Sequence, residues 1–182
     1  MTIMFNEFLK FFNERKTEYK KNSTPYLTFL DEMGGRQFGK GVFNTFSKNN
    51  VKKWTKIVGD GFPEFKEQFK LFGYDWLGRG FAIDLRDTQN ERVLMFEIGT
   101  NDVLEIPVGF NDFLNQELPM YSNACLATDF YEEWLQTNAM IKYGRCIGYK
   151  VPLFLGGEDT IDNLEDSDME VYWYIISEIK NR

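Results

Sequence analysis

Histidine is absent from all 182 residues. That absence removes the side chain most used in general acid-base catalysis and the commonest metal ligand. A Ser-His-Asp triad, a Cys-His pair and a histidine-based zinc site are therefore excluded. Cysteine occurs twice, at Cys125 and Cys146, too sparsely for a CxxC motif, a four-thiolate site or a disulfide framework; both thiols are expected reduced and buried. No stretch approaches the ~18 consecutive apolar residues of a membrane span. Residues 1–16 interleave charges with apolar side chains and do not form the apolar core of a secretion signal, so a cytoplasmic protein is expected. Positive charge is also in deficit, with 21 Lys and Arg against 28 Asp and Glu, a net charge of −7. That balance disfavours direct binding of nucleic acid or of an anionic membrane.

What is present is apolar and aromatic: 43% of residues are hydrophobic and 17% aromatic, enough to bury a core and to exclude intrinsic disorder. The length suits one domain, expected as N-terminal helices over 1–35, a sheet-rich core over 36–108 and a helical part over 109–182. Phe5, Phe8, Leu9 and Phe12 at i, i+3, i+4 and i+7 predict an amphipathic helix over 2–20. Residues 22–25 break it, and a short helix through Phe29 and Leu30 ends at Gly34-Gly35. A strand is expected over 41–46, then a helix capped by Ser47 with Val51, Trp54 and Val58 on one face. From 65 to 107 the period falls to two. Phe69, Leu71 and Tyr74, then Phe81 and Ile83, then Leu94 and Phe96, then Leu104 and Ile106 predict an antiparallel meander with one apolar face. Matching those faces pairs Ile98 with Leu104 and Phe96 with Ile106. Helices are expected over 110–118 and 128–136, then a glycine-rich loop, and last a helix from about 168 to 179 opened by a Ser167/Glu170 capping box. Val171, Tyr174 and Ile175 leave that helix little polar surface, so it packs on two sides or on a partner. The expected fold class is α+β, a central antiparallel meander flanked by helices.

Few residue groups carry chemistry. Gly34, Gly39 and Lys40 match the start of a phosphate loop, but Gly41 stands where its hydroxyl should be, and the segment leaves a helix to open a strand, the reverse of the required order. The expected register sets Glu97 directly opposite Glu105, a carboxylate pair that could share a proton or hold a cation; like charges so placed normally destabilise a sheet. Glu158, Asp159, Asp162, Glu165, Asp166 and Asp168 form an acidic run with no Lys or Arg inside it. It is no calcium loop, because from Asp166 the required glycine falls on Val171 and the distal ligand on Ser177. It is either a solvated lead-in to a helix N-terminus or a patch that steers a basic partner. Asn22-Ser23-Thr24 is a formal glycosylation sequon without meaning in a cytoplasmic chain.

Several stretches resemble a bacterial family. They are 29–35 with Gly34 and Gly35; 72–79 with Gly73, Tyr74, Asp75, Trp76, Gly78 and Arg79; 93–97; and 148–159 with Pro152, Gly156 and Gly157, followed by Asn163-Leu164. Together they look like the GAD-like, Tdi-type immunity proteins of type VI secretion, with a character similar to the SMI/KNR (SUKH) superfamily. The resemblance implies a small cytoplasmic α+β protein that binds a cognate polymorphic toxin, often a nuclease, and blocks it without turnover, cofactor or metal. It brings no catalytic residue, and its motif residues read as structural. A basic toxin would be met by acidic complementarity, through Glu97, Glu105, Glu158, Asp159, Asp162, Glu165 and Asp166. Two other readings stay open: a sensor whose Tyr74, Trp76 and Phe81 line a small-molecule pocket, and a hydrolase using Glu97 and Glu105.

Overall fold

The computed structural model describes residues 4–15 and 24–181. Helices α1 (Asn6–Phe11) and α2 (Pro25–Glu32) precede a six-stranded sheet. Its strands are β1 (Gln37–Phe38), β2 (Phe43–Thr45), β3 (Phe69–Asp75), β4 (Gly80–Asp84), β5 (Val93–Glu97) and β6 (Asp102–Ile106). They pair in chain order, all antiparallel, as the period-two reading requires. Helix α3 (Val51–Gly61) is inserted between β2 and β3. After the sheet come α4 (Phe110–Asp112), a π-helical turn over Phe113–Glu117, α5 (Leu118–Met120), α6 (Ser122–Leu126) and α7 (Thr128–Leu135). Strands β7 (Arg145–Tyr149) and β8 (Leu164–Asp168) form a separate antiparallel pair, and α8 (Met169–Lys180) closes the fold. The class is α+β, in one domain.

The sheet has two apolar faces, which corrects the expected single one. Phe8, Phe29, Phe43, Phe72, Phe81, Met95 and Phe113 pack between the sheet and α1, α2 and the segment from α4 to α7. Trp54, Val58, Leu71, Ala82, Leu94, Phe96, Trp173 and Ile176 pack between its other face and α3 with α8. A β-bulge makes β3 serve both. Leu71 faces Ala82 and Gly73 faces Phe81, so Phe72 is the extra residue, and the phase of alternation reverses across it. Phe69, Leu71 and Tyr74 therefore share the α3/α8 side, although their spacing is not strictly two.

The β5–β6 register differs from expectation. Leu104 pairs with Met95 and Ile106 with Val93, while Ile98 lies in the connecting turn with its side chain buried toward α8. The offset is odd, so every β6 side chain moves to the other face. Edge strand β6 buries little, and Leu104 is 51% exposed; matching apolar faces had no purchase there.

Helix ends depart in the same local way. α1 ends at Phe11, followed by Asn13 at φ 56°, short of the expected reach; 16–20, like Asn22 and Ser23 of the sequon, lie outside the described residues. Thr24 caps α2, its Oγ1 accepting from Leu27 N (3.4 Å) ahead of Pro25. Ser47 does not cap α3: its own N–H donates to Asn50 Oδ1 (2.8 Å). Asp168, not Ser167, caps α8, accepting from Glu170 N and Val171 N (both 3.0 Å), because Ser167 is held in β8 opposite Cys146. The glycine-rich stretch expected as loop supplies β7, so the part expected to be helical also carries a small sheet. Both thiols are free and buried.

Candidate functional site

The 73–79 segment is the end of β3 and the turn into β4, and its polar groups are turned inward. Asp75 is wholly buried. Its Oδ1 accepts from Leu77 N (3.1 Å) and Arg79 N (3.0 Å), and its Oδ2 from Arg79 Nε (2.6 Å). Gly78, at φ 79°, lets the turn close in the left-handed region. Burial pushes the Asp75 carboxyl up, against the pull of Arg79 and of the two amides. For Arg79, burial opposes the charge, and Asp75 and Glu97 more than offset it. The rest of the turn is tied to the C-terminal part of the chain. Trp76 Nε1 donates to Leu126 O (2.8 Å), an Arg79 terminal nitrogen donates to Cys125 O (3.2 Å), and Trp173 Nε1 donates to Gly78 O (2.9 Å). Ile147 N donates to Trp76 O (2.7 Å), and Gly144 N to Tyr74 Oη (2.9 Å). Gly73 is required because a Cβ there would lie 2.5 Å from the Phe43 ring.

The other glycine motifs are built for packing as well. A Cβ at Gly34 would stand 2.3 Å from Leu30 O, and one at Gly157 only 1.9 Å from Val151 O. Gly35 and Gly156 have φ of 76° and 88°. Pro152 is buried, and its carbonyl accepts from Leu155 N and Gly157 N. Asn163 fastens this loop, donating from Nδ2 to Val151 O and Glu158 O.

The expected carboxylate pair does not form. Glu97 pairs with Asp102 and Glu105 with Leu94, which sets the two glutamates on opposite faces of the sheet. Glu97 is half-buried, and burial raises its carboxyl despite Arg79, with Asp75, Asp159 and Asp102 adding to the rise. Glu105 is clamped instead, by Arg86 (2.6 Å) and Arg92 (2.7 Å), and those hydrogen bonds lower its carboxyl. The arrangement on which a carboxylate hydrolase was expected is thereby removed. So is the three-residue pocket: Tyr74 packs in the α3/α8 cluster, Phe81 and Trp76 in the other.

In the acidic run, Asp166 binds Arg145 (2.6 Å) and Asp159 accepts from Tyr149 Oη (2.8 Å). Glu158, Asp162 and Glu165 are exposed and carry no ion pair among the described residues. Structure brings Glu97 to the surroundings of Arg79 and Asp159 near Glu97, while Glu105 lies apart with Arg86 and Arg92. Among the described residues no three His, Cys, Asp or Glu side chains converge as metal ligands, and no helix is long and apolar enough to cross a membrane.

One surface stands out beyond the expected residues. On α8 the side chains of Val171 (54%), Tyr174 (66%), Ile175 (48%) and Ile179 (37%) are exposed along one face. Beside them a groove of about 560 Å³ runs along α3, lined among others by Ile57, Asp60, Asp168, Glu170 and Glu178. The apolar-all-round sequence of α8 was the available signal.

Residues 109–180, the part that receives the 73–79 turn, match the family described as T6SS immunity protein Tdi1, C-terminal. Over that stretch the chain is similar to type VI secretion immunity proteins, as the sequence resemblance implied. In fold it is similar to the crystal structure of Atu4351 from Agrobacterium tumefaciens, with a TM-score of 0.59 at 16% identity, over 84% of this chain and 73% of that one. At such identity the likeness is one of fold alone. No curated protein matches.

Proposed function

We propose that this chain is an immunity protein that binds one cognate type VI secretion toxin and neutralises it stoichiometrically in the cytoplasm. The toxin domain is basic, as a nuclease that must hold phosphate would be. The observation that carries the reading is the match of residues 109–180 to the Tdi1 C-terminal family. Supporting it, the net charge of −7 favours encounter with a cationic partner, and Glu158, Asp162 and Glu165 are exposed on one segment without an ion pair among the described residues. Asp159, Asp166 and Glu97 border that segment, while Glu105 is neutralised by two arginines.

The test is co-expression with the effector encoded beside this chain's gene. Growth should be restored only when this chain is present, and the two purified proteins, the effector carrying an inactivating substitution, should form a 1:1 complex whose association slows as salt rises. Absence of both protection and complex would overturn the reading.

A further inference from the structure

We propose that the outward face of α8, with the groove between α8 and α3, is the docking surface for a basic amphipathic helix of the toxin. This rests on the immunity reading above and names the surface that serves it. Val171, Tyr174, Ile175 and Ile179 follow i, i+3, i+4 and i+8, so they form one stripe along the helix. The opposite stripe, Met169, Tyr172, Trp173 and Ile176, is buried in the core, so α8 has two apolar sides and only one is covered by the described residues. The uncovered side spans ~12 Å of helix axis and continues into the groove through Tyr174. Apolar, and on a helix held by the Trp173–Gly78 hydrogen bond, it suits an apolar anchor laid in from outside.

Charge selects the occupant. Among the described residues the groove lining contains Asp60, Asp168, Glu170 and Glu178 and no lysine or arginine. Lys56 pairs with Asp60 (2.6 Å) and Lys53 with Glu170, and Asp168 serves the helix N-terminus, but Glu178 is exposed and has no ion pair among the described residues. Strand β8, which leads directly into α8, adds exposed Glu165, while its Asp166 is held by Arg145. A second copy of this chain would set that edge against its own like, with each copy at −7, and is disfavoured. A helix with an apolar stripe flanked by Lys and Arg satisfies both the stripe and its rim.

The test uses the full chain and the inactivated effector encoded beside its gene. Tyr174→Ala combined with Ile175→Ser removes exposed side chains only, so circular dichroism and the melting temperature should stay as in the wild type. Affinity should fall about 30-fold or more, through faster dissociation. Glu178→Lys, a pure surface change, should slow association and flatten its salt dependence. Wild-type binding retained within threefold by the double variant overturns the α8 surface while leaving the immunity reading intact. Failure of the wild type to bind at all overturns both. A dimer in sedimentation that Tyr174→Ala dissolves assigns the stripe to a second copy and likewise overturns the proposal.

Discussion

Arg79 shows how a recognisable residue acquires its role. The motif around it is visible in the sequence, but its purpose lies in acceptors far along the chain, Cys125 O among them, which no local pattern discloses. Removing one member of a buried pair leaves the other charge without compensation. Arg79→Ala should therefore cost about 3–5 kcal/mol in urea unfolding, and the double variant Asp75→Asn/Arg79→Met should recover part of that loss. A second residue sets a pH dependence. Asp84 is held below the ordinary carboxylate value of 3.8, first by the Arg86 side chain and then by Arg86 N–H, against burial. A lowered acid contributes stability above its unfolded value, and this is lost as pH falls through the folded value. The unfolding free energy should thus drop below about pH 4. In Arg86→Ala that drop should be shallower, which parallel denaturation series would measure. The Glu97–Glu105 pairing was misread because an edge strand with one exposed leucine leaves its register unspecified by burial.

Among the elements, those with strict periodicity were legible. The meander, α3 and α8 follow directly from where apolar residues recur. Two features escaped, both for steric reasons. The β3 bulge inserts Phe72 and breaks the alternation that would mark a strand filling both faces. Strand β7, Arg145–Tyr149, hides behind Gly148, which reads as loop. There the missing side chain makes room for an aromatic ring, since a Cβ on Gly148 would lie 2.4 Å from Tyr172. Gly148→Ala should consequently destabilise the protein by about 1–3 kcal/mol, with the loss read by thermal melting. Tyr172→Leu in the same background should return part of it, because the obstructing ring is gone.

At the scale of the whole molecule, the N-terminal sheet and the family-like segment are one folding unit. Trp76, Phe81, Trp134 and Ile147 belong to a single cluster, and Leu126, Cys125, Gly144 and Ile147 exchange hydrogen bonds with the 73–79 turn. Residues 109–182 expressed alone should therefore lack a cooperative melt and show poor amide dispersion in NMR spectra, whereas the full chain should unfold in one transition. Fold class could be read from the sequence because burial leaves a periodic trace along the chain. Which of the two apolar sides of α8 stays exposed is decided only by how the elements pack. The inward reach of the 73–79 turn also bears on how such chains can diversify. A crossover between relatives near residue 109 delivers a C-terminal half whose carbonyl acceptors must fit a foreign tryptophan and arginine, so viable chimaeras will be those in which that turn and its receptors are inherited together.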